Sequence, residues 1–263
     1  MKQRIVSGVI AAAVFITLLI LGGAWFEWLM FALAVIGFDE YRKMNGLARG
    51  SLVSLAGFAG VIMLTAPVIP LWDELSVMAF VWLALFVLLA LTVITKNAVT
   101  IDQAGYVLLG ILYVGFGFHY MAETRVLEPD GLFWTLLVFF CIWITDSGAY
   151  FTGYAFGRTK LWPAISPNKT VEGAIGGLVL SIVVALIFAI TRDDLLSIPQ
   201  AIVLGGAIGI VGQFGDLMQS AYKRVKGIKD SGSLMPGHGG VLDRTDSWII
   251  VFPFLHMVAL LPH

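Results

Sequence analysis

Residues 76–95 read SVMAFVWLALFVLLALTVIT, a run without one charged side chain. A helix that crosses the hydrocarbon of a bilayer needs roughly 20 mostly apolar residues, so this stretch has the length and chemistry of a membrane span. Working outward, comparable runs occupy about 52–70, 25–41 and 5–22 towards the N-terminus. Towards the C-terminus they occupy about 103–122, 132–151, 171–190, 199–219 and 246–261. The composition agrees. Of 263 residues, 59% are hydrophobic and 13% charged, and the mean hydropathy is +0.92. Soluble domains are about 45–50% apolar and about 25% charged, and a soluble chain of this size has no means of hiding so much apolar surface. The expected fold is an all-α polytopic membrane protein, a bundle of about nine transmembrane helices. The first run follows Lys2 and Arg4 as in a signal peptide, but similar runs recur throughout, so it is read as a retained span.

Positive charge gives the direction. With the N-terminus in the cytoplasm, all of the 16 Lys and Arg residues except Arg125 and Arg192 fall on the cytoplasmic side. The C-terminus is then outside. The loops on the outer face are short or acidic (Asp73, Glu74; Glu123, Glu128, Asp130; Asp193, Asp194), and the two long polar connections, about 152–170 and 220–245, face the cytoplasm. Residues 1–100 hold the first four spans and 101–263 the other five, where the polar chemistry lies. No composition shift marks a separate soluble domain. The net charge of −1 points to no nucleic-acid partner. The single cysteine, Cys141, lies in an apolar run and is read as an inert packed thiol. Gly173 with Gly177, and Gly205 with Gly209, have the spacing of close helix contacts in lipid.

Ionisable groups at membrane depth mark candidate sites. Asp146 sits near the cytoplasmic end of the sixth run and Asp216 near that of the eighth, while Asp243 and Asp246 open the ninth. Residues three or four apart share a helix face. Asp243 is therefore expected to face with Asp246, and Asp216 with Ser220 and Lys223. Asp216, Asp243 and Asp246, with Asp146 as a fourth candidate, are expected to converge at one cytoplasmic depth. Clustered carboxylates call for a cation, and Mg²⁺ takes oxygen ligands that it shares with phosphates. The alternative is that these acids form salt bridges with nearby Lys or Arg. No Cys/His constellation has zinc spacing, and no Gly-x4-Gly-Lys-Ser/Thr loop occurs.

The stretch from Ser220 to Asp246 is the richest. It contains Lys223, Arg224, Lys226 and Lys229, then Pro236-Gly237-His238-Gly239-Gly240, then Asp243-Arg244-Thr245-Asp246. Cations bind phosphate oxygens, glycines let backbone N–H groups approach an anion, and acids hold a metal that bridges phosphates. The combination fits polyphosphate handling. A basic loop touching anionic lipid is the plainer reading of the cations alone. The other long loop carries Ser166-Pro167-Asn168-Lys169-Thr170, polar residues ahead of a helix whose free N–H groups suit a phosphate.

The ordered pattern of Ser220, Lys223, Arg224, Lys229, Asp230, Gly232, Pro236, His238, Gly239, Gly240, Asp243, Arg244 and Asp246 resembles the signature of the phosphatidate cytidylyltransferase family, the CDP-diacylglycerol synthases. The segments around Asp146, Ser166 to Gly173 and Gly215-Asp216 resemble it too. The resemblance implies transfer of CMP from CTP to phosphatidic acid, with pyrophosphate released. It also implies Mg²⁺ with a second, monovalent cation such as K⁺, a homodimer, and a site open to the cytoplasm in the inner membrane. Asp216, Asp243 and Asp246 match acidic positions at the metal centre. Lys169 and Lys226 match phosphate-binding positions, and Ser220 and Asp146 match polar positions of the site. Arg224, Lys229 and Arg244 are expected to neutralise the triphosphate. His238 is expected either to orient or protonate a phosphate or to shape the turn. The rival readings are a CTP-dependent enzyme of another lipid, a transporter, and a lipid-binding scaffold. The acids gather at one end of the spans, which disfavours a transporter. A scaffold has no need of ordered carboxylates beside a Gly-rich turn.

Overall fold

The architecture was obtained as a computed structural model, which describes residues 2–68, 76–233 and 239–262, with residues 2–7 as backbone only. Asp73, Glu74, Pro236, Gly237 and His238 lie outside the described residues. Each apolar run corresponds to helix. In chain order these are α1 Lys2–Leu21, α2 Gly23–Met44, α3 Leu52–Thr65, α4 Val77–Ile94, α5 Ile101–Gly110, α6 Phe116–Val126, α7 Gly131–Phe156, α8 Val171–Thr191, α9 Ile198–Val225, α10 Leu242–Thr245 and α11 Trp248–Met257. A π-helical turn, Ile111–Gly115, links α5 to α6. A two-stranded antiparallel hairpin, β1 Lys160–Trp162 and β2 Ser166–Thr170, precedes α8.

Polar side chains begin these helices by satisfying N–H groups that have no partner in the first turn. Ser51 Oγ accepts from the Ser54 amide and Ser76 Oγ from the Ala79 amide. Thr100 with Gln103, and Ser197 with Gln200, form capping boxes. Between the caps, helix follows from the bilayer's demand that backbone groups pair within the segment.

Five helical segments among the described residues are long and apolar enough to cross a membrane: Val77–Ile94, Ile101–Val126, Gly131–Phe156, Val171–Thr191 and Ile198–Val225. Shorter apolar helices run over Gly8–Leu21, Leu52–Thr65 and Trp248–Met257. On α4 the large apolar side chains Trp82, Phe86 and Val93 stand 63%, 68% and 76% exposed. Water does not tolerate such a surface, and lipid does. The chain is an all-α integral membrane protein.

The chain divides into two compact units. The first comprises residues 1–122 and 228–244. Its interior is built on α2, whose Phe26, Met30, Ala34, Phe38 and Tyr41 recur at helical spacing and are buried. Phe38 meets Phe58 of α3 edge to face at 5.0 Å. The second unit comprises residues 123–227 and 245–263. Here α7, α8 and α9 approach so closely that several of their glycines leave little or no room for a side chain. A Cβ on Gly177 would sit 2.6 Å from the Thr145 carbonyl oxygen, and one on Gly173 equally close to that of Ala149. On α9, a Cβ on Gly205 would come within 2.8 Å of Ile182 Cα and one on Gly209 within 3.2 Å of Leu178 Cα. Both glycine pairs thus serve the packing role that their spacing predicts. Cys141 is buried, its thiol donating to the Ser181 carbonyl at 3.5 Å. Outside the helices Arg192 bridges Asp130 and Asp194, and its hydrogen bond holds Asp194 below the usual carboxylate range.

Candidate active site

The second unit contains a cavity of about 540 Å³ at the polar ends of α7 and α9 and the start of α8. Two of its carboxylates were expected. Asp146 projects from the second half of α7 and Asp216 from α9. The hairpin delivers Asn168 and Lys169. This ribbon is the main local departure from the sequence reading. Thr170 does cap α8, its hydroxyl accepting from the Gly173 amide at 3.1 Å. The residues before it, however, are extended, with Lys160 opposite Thr170 and Trp162 opposite Ser166. Glu172 secures the ribbon by accepting from the Arg158 and Thr159 amides at 3.1 and 3.2 Å. Ser166 pairs at the far end of the ribbon, away from Lys169.

Lys169 Nζ lies 2.6 Å from Asp216 Oδ2, with both side chains partly exposed. Ser220 Oγ donates to the other oxygen, Asp216 Oδ1, at 3.2 Å. Ser220 therefore shares the stripe of Asp216, as its i+4 spacing predicts. Gln213 donates to the Ala174 and Gly209 carbonyls and ties α9 to α8 beside the cavity. Asp246 is brought to the same region by Gly215. A Cβ at Gly215 would sit 2.7 Å from the Asp246 carbonyl oxygen and 2.9 Å from Ser247 Cα. Asp246 lies within electrostatic reach of Asp216, Asp146 and Lys223. Asp146, Asp216 and Asp246 thus gather in one unit.

Asp243 and Asp246 do not share a helix as expected. α10 is a single turn that ends at Thr245, and the two residues fall in different units. Within the first unit, Asp243 Oδ2 accepts from the amides of Ser231 at 2.7 Å and Gly240 at 3.0 Å. Gly239 there takes φ +82°, a conformation that favours glycine. Lys229 and Arg244 of this unit are exposed. In the second unit Arg224 Nε donates to the Ile165 carbonyl at 3.2 Å, and the Lys226 ammonium lies 5.7 Å from the Tyr222 ring centre.

Among the described residues, no group of three or more His, Cys, Asp or Glu forms a ready metal cage. Mg²⁺ needs none, because it is usually held by one or two carboxylates, waters and substrate phosphates. The donors here suit it. Asp216 and Asp246 supply hard oxygens. Beside them Ser247 Oγ is buried without a hydrogen-bond partner among the described residues, a state that calls for a water or an ion.

Sequence reasoning missed Tyr150, Tyr154, Lys160 and Gln213 in the cavity wall. The two tyrosines stand four and eight residues beyond Asp146, so the helical period marks them as lying on its face. Lys160 carried no signal of its own, because its place depends on the hairpin.

The sequence profile of the Cytidylyltransferase family matches residues 2–261. The phosphatidate cytidylyltransferase of Bacillus subtilis (strain 168) is 42% identical over 267 residues, covering 99% of this chain and 98% of the relative. Those of Staphylococcus saprophyticus and Staphylococcus aureus (strain COL) are 38% and 37% identical, each with 99% of both chains covered. With this similarity running from end to end, and Asp146, Asp216, Lys169 and Asp246 gathered in one unit, the chain belongs to the Cytidylyltransferase family.

Proposed function

We propose that this protein transfers the CMP moiety of CTP to phosphatidic acid, giving CDP-diacylglycerol and pyrophosphate for phospholipid biosynthesis. The observation that carries the reading is the Lys169–Asp216 pair in a polar cavity of a membrane-embedded family member. A phosphate-binding cation and a metal-binding anion stand there in contact, each holding the place of the other's partner.

The phosphate of phosphatidic acid is already an anionic nucleophile, so the reaction requires no activated Ser or Cys. One of its oxygens forms a bond to the α-phosphorus of CTP, the bond from that phosphorus to the β-phosphate oxygen breaks, and pyrophosphate leaves with the electron pair. Catalysis of this kind rests on alignment and charge neutralisation. Lys169 turns from Asp216 to a phosphate oxygen, and Asn168 beside it donates to the same group. Lys223, Arg224 and Lys226 supply further positive charge to the triphosphate, and Lys229 and Arg244 enter on the strength of the signature. Ser220 holds the orientation of Asp216. Asp216 and Asp246 hold Mg²⁺, with Asp146 acting through its charge. When bound, the ion would neutralise the charge that develops on the phosphates. A monovalent cation such as K⁺ is the second ion of this reading. Asp243, Gly239, Gly240 and His238 enter it on the strength of the signature.

The same reading takes the chain as nine spans with the N-terminus in the cytoplasm and the C-terminus outside. The protein resides in the inner membrane as a homodimer. Spans within 101–263 carry the chemistry, reached by CTP from the cytoplasm and by lipid from the bilayer.

The test is purified protein in detergent with phosphatidic acid, CTP and Mg²⁺, followed by pyrophosphate release. Turnover should stop with EDTA, return with Mg²⁺, and be competed poorly by ATP, GTP and UTP. Equal use of any nucleotide, or full turnover in EDTA, would contradict the reading.

A further inference from the structure

Glu40 lies near the C-terminal end of α2 and is 4% exposed. A buried carboxylate is costly unless its oxygens are hydrogen-bonded. The arginine two residues on, Arg42, is committed to Asp39 at 2.6 Å and to the Leu47 carbonyl at 2.8 Å. Glu40 is satisfied from the far end of the sequence. Its Oε1 accepts from the Val241 amide at 2.9 Å. Its Oε2 accepts from the Leu242 amide at 3.1 Å and the Ser231 hydroxyl at 3.0 Å. Gly232 and Gly240 both lie against the carboxylate, and a Cβ on either would overlap its oxygens.

These contacts close the glycine-rich signature loop at both ends. Ser231 opens the described part of the loop and Gly240 to Leu242 complete it. Asp243 grips the same two ends, through the Ser231 and Gly240 amides, and its Oδ2 is 3.0 Å from Ser231 Oγ. One hydroxyl therefore stands between two carboxylates, one from inside the signature and one from a helix 191 residues earlier. Gly232, Gly239 and Gly240 lose much backbone freedom when they are fixed. Charge-assisted hydrogen bonds from a rigid helix oppose that loss. An amide lacks the second acceptor oxygen and would set an N–H₂ group against N–H donors.

We propose that Glu40 is a positioning residue for nucleotidyl transfer: it seats Ser231 and the Gly240–Leu242 backbone, fixing Asp243, and works through them instead of touching the substrates. The inference rests on the transferase reading above. Its test pairs turnover with hydrogen–deuterium exchange of the purified full-length protein. Glu40→Gln should lose about tenfold or more in kcat/KM, with a melting midpoint within about 3 °C of wild type. Exchange in the peptide spanning 239–243 should quicken about tenfold, while α7 and α8 peptides stay unchanged. Ser231→Ala is the milder variant and decides the matter if Glu40→Gln does not fold. It should lose about threefold or more in kcat/KM with the same local exchange signature. The double variant should be no worse than Glu40→Gln alone, because both act on one loop. Wild-type turnover in the folded variants, or unchanged exchange at 239–243, would overturn the proposal. Absence of turnover in the wild-type protein would overturn the transferase reading instead, and the exchange comparison would still judge whether Glu40 seats the loop.

Discussion

Lys169 and Asp216 stand 2.6 Å apart with a hydroxyl, Ser220, on the second carboxylate oxygen. Each partner therefore yields a separate prediction. Lys169→Met removes a charge-assisted contact to phosphate and should raise KM for CTP about 10- to 100-fold, with a smaller change in kcat. Asp216→Asn keeps the shape but loses the anion, and should lower kcat by about 100-fold or more at saturating Mg²⁺. Steady-state kinetics on purified variants separates the two. Asp243→Asn should abolish transfer while membrane insertion stays intact, because Asp243 Oδ2 collects the Ser231 and Gly240 amides. Near-normal turnover in that variant would remove Asp243 from the account.

At the scale of elements, the α7–α8–α9 packing depends on absent side chains. Gly177→Leu drives a branched chain into the Thr145 backbone and should destabilise the protein by about 1–3 kcal/mol or more, read as a lower melting midpoint in detergent. Gly206 faces open space, so Gly206→Ala should be neutral or stabilising by up to about 1 kcal/mol. The helices were legible because apolar length is a direct consequence of bilayer thickness, and each run between Ile5 and Leu261 contains helix. Asp146 and Asp216 of the cavity were legible as charges at membrane depth. The hairpin at Lys160–Thr170 was not, because three- and five-residue strands carry too little periodicity and Pro167 argues against a strand. The one-turn α10 was hidden for a related reason. Asp243 and Asp246 keep i, i+3 spacing, but the helix stops at Thr245 and a turn precedes α11. Glu40 was overlooked although two acids late in the second span, Asp39 and Glu40, are themselves a signal. Its partners lie 191, 201 and 202 residues away, at Ser231, Val241 and Leu242, and no local pattern joins them.

For the whole molecule, the proposed orientation is tested at Arg49 and Asp193, both exposed. Cys141 is buried, so single introduced cysteines report cleanly. In intact spheroplasts an impermeant maleimide should label Asp193→Cys and leave Arg49→Cys untouched until the membrane is opened. The reverse pattern would invert the topology and put the polar cavity on the wrong side for CTP. Which bond of the nucleotide breaks can be read from a pair of labels. Purified protein is given phosphatidic acid, Mg²⁺ and CTP labelled with ³²P at either the α or the γ position, and the lipid phase is counted. The α label should enter the lipid and the γ label should leave as pyrophosphate. Label from the γ position in the lipid, or none from the α position, would contradict the proposed transfer.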